Sequence, residues 1–415
     1  MPNENGFLKQ ICLRNFLSYG EEGQTLDLKP LNVFIGPNTS GKSNLIEALR
    51  LLRAATQKEG QSDLSQMLSK GGGVSEWIWK GKTERADAHI EIISDSLPPF
   101  PWKMRYILEF GEKDKKFELT REGVIRQKIE TQEFKDHQPD YYYQIGSYPS
   151  LVTYVSKKDW EKIQKNPTIS LGYANVEELD LNRSILSQRD DPEVFPNINY
   201  IANNLRKIKI YRNGDLSISS PVRDYQKTSG LPDFLEEDAS NLFFVLNYLL
   251  EDTGTTIQIN DYLRRFSKGF QEISPSVRGN EIQYFIRENG LADRITADHF
   301  SEGFLRYLCL LVILCHYDPP TMICIEEPEL CMHPDILPVI AELLKLASRR
   351  TQLFVTTHSD HLVSALSDTP ESVIVCNRTK SGTNLKRLDK DQLKDWLKKY
   401  TLGDLWTMGE IGGVT

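Results

Sequence analysis

Apolar residues recur with two different periods along this chain, and the change of period marks out its elements. Residues 7–16 (FLKQICLRNF) and 31–36 (LNVFIG) predict strands, the second apolar on both faces as a central strand would be. From Ser43 the apolar positions Leu45, Ala48, Leu49, Leu52 and Ala55 repeat at three-to-four spacing, so a helix follows that strand. Alternation in 88–94, 103–110 and 116–120 predicts an antiparallel sheet beside this unit. From residue 296 onward the periods alternate regularly: helix 301–316, strand 321–326, helix 335–348, strand 352–356, helix 360–366, strand 372–376. Such alternation implies a parallel sheet with helices on both faces.

The middle, about 130 to 290, is less regular. It contains YYYQIGSYPS, a short strand at 207–211, an apolar helix at 241–250 and another near 258–266, without sustained heptads, which argues against a long coiled-coil arm. The longest apolar stretch, 304–317, is about fourteen residues with Arg306 and His316 inside it, too short to span a bilayer. The N-terminus lacks the pattern of a secretory signal, and the expected location is cytoplasmic with no membrane contact.

Composition narrows the function classes. With 39% hydrophobic and 26% charged residues over 415 positions, the chain is an ordinary globular one, long enough for two or three domains. A formal charge of -8 excludes a protein coated in basic residues, so any nucleic-acid contact must come from a local patch. Lys207, Lys209 and Arg212 beside a short strand, and the lysines of the C-terminal segment, are each expected to be solvated faces. The six cysteines suit a reducing compartment, and Cys331 with His333 lacks a partner pair at zinc spacing. Trp396 and Trp406 are expected to dock on the body or on a partner.

Four motifs carry candidate chemistry. Gly36-Pro37-Asn38-Thr39-Ser40-Gly41-Lys42-Ser43 matches the phosphate-cradling pattern G-x-x-x-x-G-K-[ST] between a strand and a helix. Its glycines let backbone N–H groups turn toward phosphates, Lys42 supplies a cation and Ser43 a hydroxyl for Mg²⁺. The apolar run ending in Glu326-Glu327-Pro328 offers two carboxylates that point opposite ways. Glu326 is placed to contact Mg²⁺, and Glu327 to orient or deprotonate the attacking water. His358 ends strand 352–356, which in a parallel sheet opens onto the same edge as the phosphate loop. Ser301 and Gly303, in FSEGF, open the apolar helix 25 residues before Glu326, although Ser301 reads equally well as a plain helix cap.

In this order the motifs resemble those of the ABC-type ATPases of the RecF, RecN, SMC and OLD kind, over about 1–60 and 295–376. The resemblance implies an α/β fold: a P-loop NTPase with an ABC-type head, a mixed core sheet, an antiparallel side sheet and an α+β insertion. It implies an N-terminal lobe at 1–130, an insertion at 131–290, a C-terminal lobe at 291–380 and a basic helix and tail at 381–415. ATP and Mg²⁺ are the implied cofactors, bound by Gly36 to Ser43 with Asn44. Glu326 and Glu327 would be the Walker B pair, His358 the switch histidine, and Gln188 in ILSQRDDPE the glutamine loop on the metal. Ser301 and Gly303 would act in trans, across a homodimer or higher homo-oligomer that sandwiches ATP between heads. Glu326 stands where such proteins usually have aspartate, and Glu302 where transporter-like members have glycine. Only 57 residues follow His358, so the metal-dependent nuclease domain of OLD-type relatives is not expected within them. The expectation is therefore an ATPase switch acting on DNA or on a separate effector, a nuclease or toxin, in phage defence or DNA repair. The alternative is an ATP-dependent scaffold with little hydrolysis.

Overall fold

The computed structural model describes residues 6–58, 60, 63–81, 86–96, 103–114, 116–126, 141–145, 152–154, 172–174, 179–180, 182–193, 195–212, 214–217, 219–230 and 234–413. At its centre lies a six-stranded sheet in the order Lys209–Tyr211, Met322–Glu326, Gln352–Thr356, Leu31–Ile35, Val373–Thr379, Gly382–Arg387. The first five strands are parallel and the last is antiparallel to its neighbour. Strands Leu31–Ile35 and Gln352–Thr356 are buried at every position, which is what a sheet covered on both faces requires.

The alternation of strand side chains divides the interior into two cores. Val33, Ile35, Ile323, Ile325, Leu353, Val355, Val373 and Val375 face one, together with helices Leu242–Leu249, Glu302–Cys315 and Leu337–Ala347. Phe34, Met322, Cys324, Phe354, Ile374 and Cys376 face the other, against helix Lys42–Ala54. Phe34 and Phe354 stack across adjacent strands with centroids 6.3 Å apart. That second core is closed by an antiparallel sheet in the order Gln24–Asp27, Leu8–Arg14, Ala88–Ser94, Met104–Lys113, Lys116–Arg126, Tyr141–Ile145. The mixed core sheet, the antiparallel side sheet and the helices between them have the arrangement that the resemblance implied.

Two placements differ from the sequence reading. Strand Lys209–Tyr211, expected inside the insertion, is the edge strand of the core sheet, paired with Met322–Glu326. Three residues are too few for periodicity to reveal a sheet partner more than a hundred residues away. Residues 382–387, expected within a C-terminal basic helix and tail, form strand Gly382–Arg387, which closes the other edge. Beyond it, helix Leu402–Thr407 packs on Asp360–Ser364, and Trp406 is buried with its indole N–H donating to the Gly413 carbonyl at 3.0 Å. Trp406 therefore docks on the body, whereas Trp396 is 44% exposed. A further hairpin, Phe270–Arg278 with Glu281–Glu288, covers the first core and was not apparent from the sequence. Of the irregular middle segment, residues 127–140, 146–151 and 155–171 lie outside the described residues. Among the described residues no helix is long and apolar enough to cross a membrane.

Candidate functional site

The carboxyl ends of the parallel strands share one edge, and the chain places its candidate residues there. Strand Leu31–Ile35 runs into Gly36, at φ 144°, and the loop re-enters helix Lys42–Ala54 through Gly41 at φ 103°. A Cβ on Gly36 would lie 2.2 Å from the Cys376 carbonyl oxygen, and one on Gly41 2.2 Å from the Thr383 hydroxyl. Only glycine satisfies both the backbone angles and the space. The loop is braced from outside its own motif. Tyr19 donates to the Gly41 carbonyl at 3.0 Å, and the Thr383 hydroxyl bridges the Ser40 carbonyl, at 2.9 Å, and the Ser18 hydroxyl, at 2.7 Å. Asn44 also reaches Ser18 Oγ, at 2.8 Å.

Lys42 is 5% exposed and its ammonium donates to the carbonyls of Gly36, at 2.7 Å, and Pro37, at 2.9 Å. Burial lowers its pKa, opposed by its electrostatic interaction with Cys376, Glu327 and Glu329. Asn38 and Thr39 are exposed at the loop tip, while Ser40 is buried and its hydroxyl has no partner among the described residues.

Ser43 donates to Glu326 Oε2 at 3.2 Å, joining the start of the helix to the end of strand Met322–Glu326. Glu326 Oε1 pairs with Arg212 Nε at 2.7 Å, and Arg212 also binds Glu47 on the phosphate-loop helix. The next residue, Glu327, turns away into the left-handed region at φ 50°, its N–H donating to the Thr356 carbonyl at 2.9 Å. Its carboxylate lies 3.8 Å from His358 Nε2. Burial and the nearby Lys42 lower the His358 pKa, with Glu327 opposing, which favours the neutral imidazole. Glu329 takes the Thr357 hydroxyl at 2.7 Å and the His358 N–H at 2.8 Å, tying the two strand ends together. Burial raises the Glu329 pKa.

Phosphate loop, Glu326, Glu327 and His358 are thus brought together. Ser301 is not joined to them by any of these bonds: its hydroxyl accepts from Phe304 N–H at 3.1 Å and caps its own helix. Gly303 faces the turn after the two glutamates, where a Cβ would meet the Cys331 carbonyl oxygen at 2.5 Å. Gln188 does not enter the site. Its amide is bonded to the backbone of Asp180 and Arg183, and its neighbours line a cavity with Ala54 and Ala55, at the far end of a helix about 18 Å long. The position beside Glu326 belongs to Arg212, which the sequence reading assigned to a solvated face. Ser18, Tyr19, Glu47, Glu329 and Thr383 were also missed. Only Glu329, in the Glu-Glu-Pro-Glu run, carried a local signal.

The donor set suits Mg²⁺ and a polyphosphate. A hydroxyl and a carboxylate at the edge are hard oxygen ligands, and a buried ammonium stands at the mouth of a helix N-terminus.

Residues 31–364 match the protein family described as "AAA domain, putative AbiEii toxin, Type IV TA system". Over 86 residues the chain is 37% identical to the DNA replication and repair protein RecF of Lactococcus lactis subsp. cremoris, in strains MG1363 and SK11. That stretch is 20% of this chain and 23% of RecF, so the match spans under a quarter of those curated relatives. Among solved structures, an SMC head bound to the C-terminal winged-helix domain of ScpA superposes with a TM-score of 0.57 at 13% identity, covering 94% of this chain and 99% of that one. An Smc head domain with an extended coiled coil, bound to the C-terminal domain of ScpA derived from Pyrococcus furiosus, gives 0.52 at 12%, covering 95% and 99%. At such identity the likeness is one of fold.

Proposed function

The chain belongs to this AAA-domain family, a group of ABC-type ATPases related to RecF and SMC, and from that premise we propose that it binds ATP with Mg²⁺, hydrolyses it, and works as a nucleotide-driven switch. The observation that carries the reading is the meeting of Lys42, Ser43, Glu326, Glu327 and His358 at one sheet edge, with the Ser43 hydroxyl 3.2 Å from Glu326.

Each residue then has a distinct task. Lys42 moves its ammonium from the loop carbonyls to the β- and γ-phosphates. Ser43 and Glu326 would hold Mg²⁺, which would supply positive charge against that developing on the phosphates. Glu327, on the other side of the strand end, accepts the proton of the attacking water. The neutral His358 beside it orients that water or the γ-phosphate by a hydrogen bond. The direct test uses two variants. Lys42→Ala should weaken nucleotide binding roughly 10- to 100-fold, the worth of a charge-assisted contact. Glu327→Gln should bind normally and lose roughly 10²- to 10⁴-fold in phosphate release. Normal turnover in Glu327→Gln would move the base elsewhere.

Two heads packed head to tail would place Ser301 and Gly303 of one against the nucleotide of the other; within its own chain the Ser301 hydroxyl caps its helix. The switch acts on DNA or on a separate effector, with a role in phage defence or DNA repair. The toxin–antitoxin wording of the family and the RecF relatives support this. A second reading, an ATP-dependent scaffold with little turnover, is favoured by one observation: an arginine occupies the carboxylate on which Mg²⁺ would depend.

A further inference from the structure

That arginine is placed by the register of the core sheet. Strand Lys209–Tyr211 runs parallel to Met322–Glu326 with Tyr211 opposite Ile325, so the following residue, Arg212, comes level with Glu326. Its Nε lies 2.7 Å from Glu326 Oε1, while the other carboxylate oxygen accepts from Ser43 at 3.2 Å. One oxygen of Glu326 is thus in ion-pair contact with Arg212, outside hydrogen-bond geometry, and the other accepts a hydrogen bond from Ser43. The far end of the same guanidinium binds Glu47, four residues after Ser43 and on the same face of the phosphate-loop helix. Arg212 is thus clamped between two carboxylates, and only one of them reaches the hydroxyl that a metal would share.

A divalent cation entering between Ser43 and Glu326 would sit within a few ångströms of a fixed positive charge. In a half-buried setting such like-charge proximity is costly, and the guanidinium must yield or the cation binds weakly. Glu47 offers the guanidinium a second place to rest without leaving it unpaired, which an isolated Arg–Glu pair would lack.

We propose that Arg212 is a latch on the cation site: it is paired with Glu326 before the metal–nucleotide arrives and retreats onto Glu47 when the cation binds, so that it sets the Mg²⁺ concentration at which the site loads. The inference rests on the reading that Ser43 and Glu326 hold Mg²⁺. Arg212 acts here through Glu326 and is a positioning residue.

The test is binding of a fluorescent, slowly hydrolysed ATP analogue to the full chain as Mg²⁺ is titrated, in wild type, Arg212→Gln, Arg212→Lys and Glu47→Gln, each first checked by thermal melting. Removing the latch should lower the Mg²⁺ midpoint by roughly 10-fold in Arg212→Gln, with affinity in EDTA unchanged. Arg212→Lys, which keeps the charge but loses the fork, should fall between. Glu47→Gln, which removes the resting place, should raise the midpoint. An unshifted midpoint in folded Arg212 variants overturns the latch alone. A drop in EDTA affinity also overturns it, because Arg212 would then be a phosphate ligand. If wild type binds no nucleotide at any Mg²⁺ concentration, the nucleotide-site reading falls and the latch with it.

Discussion

Gly36 shows how far single positions constrain the site. It ends the central strand at φ 144°, against the carbonyl of Cys376. Gly36→Ala should therefore both strain the loop and push the neighbouring strand aside, costing about 1–3 kcal/mol. The expected readout is a lowered melting temperature together with weaker nucleotide binding. An unchanged melting temperature would show that the two strand ends can part without cost. Glu327 also holds a positive φ, 50°, without being glycine. That turn is what separates its carboxylate from that of its neighbour Glu326, one facing His358 and the other Ser43.

At the level of elements, the side sheet contains a buried acid with consequences for stability. Glu122, on strand Lys116–Arg126, is fully buried and accepts from Tyr106 and Ser184 hydroxyls and from the Ile185 N–H. Burial pushes its pKa up to about 7, against the three hydrogen bonds that favour the charged form. In the folded state the group holds its proton from the ordinary carboxylate range up to about 7, whereas the unfolded chain has already released it. The stability it contributes is thus complete below about pH 4.5 and lost as pH rises through about 7, a swing of roughly 3 kcal/mol. Glu122→Gln, which can keep the three contacts, should flatten that part of the profile in urea unfolding measured from pH 4.5 to 8. A wild-type slope that survives the substitution would assign the effect to another group. Packing between elements sets a larger cost. Phe354→Ala, emptying the stack on Phe34 in the second core, should destabilise by about 3–5 kcal/mol.

On the scale of the whole molecule, the open question is whether one chain completes a site. Ser301 caps its own helix and exposes its face to solvent, while Gly303 presses on the turn that follows Glu327. If two heads share each site, mixing Ser301→Arg protein with Lys42→Ala protein should restore one intact site per dimer. Turnover should return in part, although each variant alone is inactive. Continued inactivity in demonstrably mixed dimers would exclude the shared arrangement.

What the sequence by itself determined is whatever short-range pattern can encode. The glycine spacing of 36–43, the apolar run before Glu326-Glu327 and the period changes after 296 place a loop, an acid pair and alternating strands and helices, because backbone angles and side-chain alternation act over a few residues. That order carries the resemblance that implied the ABC-type fold, and the core sheet is the parallel one that the alternation implied. Only the tertiary structure decided which strands become neighbours. It set Lys209–Tyr211 beside Met322–Glu326 and Gly382–Arg387 beside Val373–Thr379, bringing Arg212 to Glu326 and Thr383 to the phosphate loop. It also left Gln188 bonded to its own turn at the far end of the helix. The physical reason is common to the two pairings: strand pairing is a contact between distant segments, chosen by the burial of whole sheet faces. A basic residue such as Arg212 carries no local mark of the carboxylate it will meet.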